Sequence, residues 1–153
     1  MELKVKRLHH KAKLPEYATD GAACFDIRAL IESETVAHSL WDGEGLVFNT
    51  GLAFEIPQDH VMLVFSRSGQ GFKSDVRLAN CVGVIDSDYR GELKVKLTRD
   101  SNNFDYERKA FLIEDGDRIA QAMVIPVKQV QFKEVNELSD TKRGSNGLGS
   151  TGV

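Results

Sequence analysis

Apolar and polar residues alternate along this chain with a period of two. Leu3 and Val5 alternate with Lys4 and Lys6. Leu52, Phe54 and Ile56 alternate with Ala53 and Glu55, and Leu93, Val95 and Leu97 with Glu92, Lys94 and Lys96. Successive side chains of a strand point to opposite faces, so each run predicts a strand with one buried face, the last being the cleanest. Residues 61–65 are apolar throughout, which predicts a strand covered on both faces. Residues 119–127 read as a similar strand ending near Pro126, and Val130 and Phe132 continue the alternation.

Turn signals separate these runs: Asp42-Gly43, Thr50-Gly51, Pro57-Gln58-Asp59, Ser68-Gly69 and Asp115-Gly116. Many short strands with regular turns imply an all-β sandwich or barrel. One short helix is expected, around residues 75–80. No internal repeat and no linker divides the chain. From Lys142 onward the composition changes, with Gly144, Gly147, Gly149 and Gly152 in a short stretch. Read alone, this is a frayed end; the alternative is a mobile lid whose backbone N–H groups meet phosphate oxygens.

At 153 residues the chain fits one domain with a real core. A net charge of −3 argues against a general nucleic-acid binder, but a few placed arginines or a metal suffice for a small anion. Cys24 and Cys81 are the only cysteines and read as small core thiols in a reducing compartment, not as a disulfide framework. Residues 1–8 mix charge with apolar side chains, unlike a signal peptide. No apolar run is long enough to span a membrane, so a soluble cytoplasmic protein is expected.

Several local motifs fail on physical grounds. Residues 147–152 match the dinucleotide pattern GxGxxG, but that pattern opens a helix after a strand, and only Val153 follows. His9, His10, His38 and His60 have no metal-ligand spacing with the two cysteines. Other segments carry chemistry in combination. Ser66-Arg67-Ser68-Gly69 places an arginine and hydroxyls beside a glycine, a pattern suited to phosphate. Asp26, between Phe25 and Ile27, is an acid in an apolar strand and calls for a cation nearby. Residues 83–93 set Asp86, Ser87, Asp88 and Tyr89 on a short loop between Gly83 and Gly91.

The ordered set Ala22-Ala23-Cys24-Phe25-Asp26-Ile27-Arg28-Ala29, Ser66-Arg67-Ser68-Gly69, residues 80–91, Gly116-Asp117-Arg118-Ile119-Ala120-Gln121 and residues 143–152 resembles the five motifs of trimeric dUTPases. The resemblance spans nearly the whole chain and includes Thr50-Gly51-Leu52-Ala53. It implies a β-jelly-roll subunit over residues 1–141, with a flexible glycine-rich arm over residues 142–153 that closes over the active site. It also implies a homotrimer whose sites draw on all three chains, and Mg²⁺-dependent cleavage of dUTP to dUMP and pyrophosphate.

By the same resemblance, Asp86 is the base that activates water and Tyr89 the ring beneath the deoxyribose. Asn80, with Gly83, Val84 and Ile85, forms the uracil-reading hairpin. Arg67, Ser68, Gly69 and Gln121 hold phosphates. Asp26 holds the metal through water. Arg143, Leu148, Gly149, Ser150 and Thr151 belong to the closing arm. These roles are physically coherent, because phosphoryl transfer needs positioning and charge neutralisation more than covalent help.

The chain departs from the family pattern at several positions. Leu148 stands where phenylalanine usually stacks on the base, a contact worth roughly 1–3 kcal/mol, so weaker arm closure is expected. Cys24 replaces a usual glycine, Gln70 and Asp75 replace usual residues, and residues 100–109 form a longer connection, expected to be a surface hairpin. Two other readings remain open at this level: a dCTP deaminase of the same fold, and a dUTP-binding regulatory protein with an unknown partner.

Overall fold

The computed structural model describes residues 1–32, 37–100 and 109–147. Its strands are β1 (Lys4–Arg7), β2 (Glu16–Tyr17), β3 (Phe25–Arg28), β4 (Ala37–Leu40), β5 (Gly45–Asn49), β6 (Leu52–Glu55), β7 (His60–Phe65), β8 (Val76–Leu78), β9 (Val82–Ile85), β10 (Lys94–Arg99), β11 (Phe111–Glu114) and β12 (Arg118–Pro126). The single helix among the described residues, α1 (Ser68–Ser74), lies between β7 and β8. The all-β, jelly-roll-like expectation holds. The hairpin expected at residues 100–109 falls almost wholly outside the described residues. No described helix is long and apolar enough to cross a membrane.

All strand pairs among the described residues are antiparallel. A five-stranded sheet runs β2-β3-β12-β7-β9 and a three-stranded one β5-β10-β8, with two-stranded ribbons β1-β6 and β11-β4. Their inward side chains merge into one apolar cluster, including Ile27, Met62, Val64, Ile119 and Ala122 from the large sheet and Phe48, Leu78, Val95 and Leu97 from the smaller one. Strand β10 follows its sequence pattern: Val95 and Leu97 are buried while Lys94 and Lys96 face solvent.

Gly51 shows why one turn needs glycine. Its φ is +66°, and a Cβ there would lie 2.8 Å from both Ala12 Cβ and Leu30 Cδ2. L-residues resist that backbone region, and the packing leaves no room for a side chain.

Four expectations need correction. The helix is not at residues 75–80 but immediately before them. It starts where Arg67 O accepts the N–H groups of Gln70 and Gly71, and it stops at Asp75, whose φ is 54°. Val76 and Leu78 are buried on either side of half-buried Arg77, a strand alternation that forms β8. Strand β7 is fully covered on one face and only partly on the other: Met62 and Val64 are buried, whereas Val61, Leu63 and Phe65 are half-buried. No described strand follows Pro126, and Val130 and Phe132 are exposed. Finally, Cys81 is exposed at a turn with φ 63° and Cys24 is half-buried, so neither thiol is a core residue.

Candidate active site

Strand β9 is the outer strand of the five-stranded sheet. One edge pairs with β7, from Val82 opposite Phe65 to Ile85 opposite Met62; among the described residues the other edge has no strand beside it in that sheet. An edge strand presents backbone N–H and C=O groups that a ligand can meet. This edge lines a cavity of about 400 Å³ together with Asn80, Gly83, Val84, Ile85, Leu93 and Lys94. Gly83 lies close against the sheet: a Cβ there would come within 3.2 Å of Val64 Cβ. The turn into β9 is tight, with Val82 N donating to Asn80 O at 2.6 Å and Cys81 in the left-handed region.

A second cavity of about 260 Å³ continues from the first, sharing Val84, Ile85, Leu93 and Lys94 and adding Asp86, Tyr89 and Glu92. Its loop is firmly held. The Tyr89 hydroxyl donates to Glu92 O at 3.0 Å, and Tyr89 N donates to Asp86 O at 3.2 Å. Arg90 Nη1 donates to Ser87 O at 2.7 Å. Glu92 in turn accepts from Gly51 N at 2.8 Å, and the buried Thr50 hydroxyl donates to Leu93 O at 2.7 Å. The Tyr89 ring occupies the space over Gly91, where a Cβ would lie 2.6 Å from Cζ. Asp86 follows β9 directly and is exposed at the groove, where its carboxylate is open to a water molecule.

A polar cluster forms on β3, β12 and the start of α1. Asp26 and Arg28 alternate with buried Phe25 and Ile27, so they point away from the core. Arg67 Nε donates to Asp26 Oδ1 at 3.2 Å, and Arg118 Nη1 donates to Asp26 Oδ2 at 3.3 Å. The cation expected beside Asp26 is therefore two arginines. Gln121 Nε2 donates to Ser66 O at 3.0 Å, and Gln70 Nε2 to Arg118 O at 3.0 Å. Ser66, Arg67, Ser68 and Gln121 line a cavity of about 340 Å³ with Gly71 and Phe72. Burial, and then the nearby Asp26 charge, push the Cys24 thiol above its ordinary range, which makes it a poor nucleophile.

The chain thus brings together two groups of sequence-identified residues. Asn80, Gly83, Val84, Ile85, Asp86 and Tyr89 share one groove; Asp26, Arg67, Ser68 and Gln121 share a second cluster, with Gly69 in the first turn of α1. None of the cavities described contains both. Arg143 joins neither: it closes an exposed turn by donating to Asn146 O at 3.0 Å. Leu148, Gly149, Ser150 and Thr151 lie outside the described residues. Sequence reasoning did not assign Arg118, which lies opposite Arg28 in the β3–β12 register and reaches Asp26 only through its side chain. It also missed Lys94, which looked like an ordinary solvent-facing lysine of an alternating strand.

The dUTPase family model matches residues 10–152. The chain belongs to the dUTPase family. It is 45% identical to the deoxyuridine 5'-triphosphate nucleotidohydrolase of Nautilia profundicola, over 99% of this chain and 99% of that one. Among solved structures it resembles the dUTPase of Staphylococcus bacteriophage 80alpha with dUPNHPP, at a TM-score of 0.83 and 29% identity, covering 99% of each chain. It also resembles a mutant dUTPase of S. aureus phage phi11, described as coordinating a structural Mg(II) ion. That match has a TM-score of 0.74 and 25% identity, over 90% of this chain and 98% of that one. Within this family, the groove along β9 and the arginine-flanked acid are two places where polar side chains named from the sequence converge.

Proposed function

We propose that this chain is a dUTP diphosphatase that cleaves dUTP to dUMP and pyrophosphate, with Asp86 as the base. The observation that carries this reading is the continuous groove from the β9 edge to Asp86 and Tyr89, in a chain whose full-length relative is a deoxyuridine 5'-triphosphate nucleotidohydrolase. The backbone edge and Asn80 read the base. Polar groups matched to a uracil edge penalise cytosine, which would leave them unpaired. The Tyr89 ring, held by its bond to Glu92 O, packs under the sugar and leaves no room for a 2′-hydroxyl. Asp86 takes the proton of a water aligned for attack on a phosphorus.

Arg67, Ser68 and Gln121 bind the phosphates, with Gly69 allowing close backbone approach. Mg²⁺ would neutralise charge on the triphosphate. Among the described residues there is no cluster of three or more potential ligands, which suits an ion held mainly by phosphate oxygens and water. Asp26, with an arginine on each oxygen, is suited to holding such an ion through its water shell and not directly.

Assembly follows from the separation of the two groups. A single chain offers Asp86 in one groove and the phosphate cluster elsewhere, so a complete site needs neighbouring copies, consistent with a homotrimer. The exposed Phe132 and Leu138 support this, because apolar side chains on a segment leaving the core need a neighbour to cover them. Residues 142–153, with Arg143, Leu148, Gly149, Ser150 and Thr151, would then close over a site as an arm. Two free thiols fit a cytoplasmic location.

The deciding experiment incubates the purified protein with dUTP, dTTP, dCTP and UTP, with and without Mg²⁺, and separates the products by chromatography. Mg²⁺-dependent dUMP formation from dUTP alone, lost in Asp86→Asn, is the expected result. A uracil nucleotide formed from dCTP would reassign the chain to the deaminases. dUTP binding without turnover would favour a regulatory role.

A further inference from the structure

The loop that carries Asp86 begins as a turn, Asp86-Ser87-Asp88-Tyr89. Its closing bond, Tyr89 N to Asp86 O, is 3.2 Å long, at the upper limit for an amide donor. Aspartate and serine suit a turn but do not dictate which way its central peptide faces. That peptide, between Ser87 and Asp88, sets the turn type: flipped, it would put Asp88 in the left-handed region that glycine takes more readily. Asp88 does not have a positive φ. Ser87 O is the carbonyl of that same peptide, and Arg90 Nη1 donates to it at 2.7 Å. The same nitrogen donates to Tyr89 O at 3.0 Å. Both bonds come from a charged donor and so exceed a neutral pair in strength.

Arg90 also faces the β1–β6 ribbon. With Lys4, Lys6 and Glu55 it lines a cavity of about 260 Å³ that shares no residue with the substrate groove. Lys4 Nζ donates to Glu55 Oε1 at 2.7 Å. Lys4 holds the Glu55 carboxyl below its ordinary range, by that bond first and by charge second, and the Arg90 charge adds to the effect. The guanidinium therefore stands between a carboxylate of the ribbon and two carbonyls of the turn.

We infer that Arg90 is a positioning residue, which locks the central peptide of the Asp86–Tyr89 turn and so holds the Asp86 carboxylate where a water can be aligned. This inference rests on the dUTP diphosphatase reading. Both clamping bonds lie within one loop of one chain, so the clamp does not depend on which copies complete a site. Small displacements of a base from its reacting partner are costly to rate. Asp86 acts only as the proton moves, whereas the β9 edge meets the base throughout. The Tyr89 hydroxyl keeps its own hold on Glu92 O. Freeing the turn should therefore lower kcat and leave KM nearly unchanged.

The test uses the full chain and four variants: Arg90→Gln, Arg90→Lys, Asp86→Asn, and Asp86→Asn combined with Arg90→Gln. KM, kcat and thermal midpoint are measured with dUTP, and amide hydrogen exchange over residues 86–90 by mass spectrometry. Arg90→Gln is expected to lower kcat about tenfold, the lower end for losing a bond from a charged donor. KM should stay within about twofold of wild type and Tm within about 2 °C. Exchange at the turn should quicken while the strands keep their protection. Arg90→Lys keeps a charged donor and should recover part of the rate. If Arg90 acts through Asp86, adding Arg90→Gln to Asp86→Asn should cost less than about twofold further.

An active enzyme whose kcat is unchanged in Arg90→Gln would overturn the inference alone, even if the turn exchanges faster. So would a full further tenfold loss in the combined variant, a lysine variant no faster than the glutamine one, or unchanged exchange at the turn. A wild-type chain that does not turn over dUTP would overturn the enzyme reading itself, and the catalytic role of Arg90 with it.

Discussion

Asp26 of β3 and Arg67, just beyond β7, meet at 3.2 Å and tie the outer face of the large sheet to the start of α1. Arg118 occupies the other carboxylate oxygen. Asp26→Asn keeps the shape and removes the charge, leaving two guanidinium groups without their shared counter-ion. The expected loss of stability is about 1–3 kcal/mol, read from urea denaturation. In the proposed enzyme the Mg²⁺ concentration for half-maximal rate should rise about tenfold, as for other groups that act through a metal's water shell.

Asp86 makes no side-chain hydrogen bond among the described residues and stands exposed at the end of β9. Removing its charge should therefore leave the fold intact. Asp86→Asn is expected to lower kcat about 10²–10⁴-fold, the usual contribution of a general base. dUTP binding and the thermal midpoint should stay near wild type; a matching collapse of Tm would mean that the residue is structural instead.

Gly51 offers a stability test independent of activity. Gly51→Ala places a Cβ 2.8 Å from Ala12 and Leu30 at a φ of +66°. Left-handed backbone costs about 1–2 kcal/mol and overpacking about as much again. Differential scanning calorimetry should show a clearly lowered midpoint, and an unchanged midpoint would refute the packing described for that turn.

The Arg77 guanidinium, by hydrogen bonding first and charge second, holds the Asp100 carboxyl below its ordinary range. A lowered folded-state pKa stabilises the fold above the unfolded value, about 3.9, and that contribution disappears as pH falls through the lower folded value. Wild type should therefore be somewhat more stable than Asp100→Asn at pH 7 and pH 5. The gap should close as the pH drops below the ordinary carboxylate range. Denaturation midpoints at pH 7, 5 and 3 check this; a gap that widens in acid would contradict the pairing.

Legibility in the sequence followed how much of the cause was local. The strand at Leu93, Val95 and Leu97 was visible because one face meets the core and the other meets water. The loop from Asp86 to Gly91 was visible because Gly91 sits where the Tyr89 ring leaves no room for a side chain. The helix was misplaced because its stop depends on Asp75 adopting a backbone that aspartate tolerates but does not announce. The alternation at Val130 and Phe132 misled because exposed and buried apolar residues look alike in one chain. The Arg99 and Asp100 contacts were invisible because their partners lie some 25 positions away, at Ser74 and Arg77.

The open edge of β9 also has a cost in solution. Unpaired backbone groups along a sheet margin template the addition of foreign strands. The four residues of β9 end at the turn carrying Asp86, so the exposed margin is short, but Val82 and Val84 sit on it with 40% and 60% of their surface uncovered. Bound nucleotide would occupy that margin and compete with self-association. Concentrated stocks should keep longest when the groove is filled, with light scattering rising soonest in protein stripped of nucleotide.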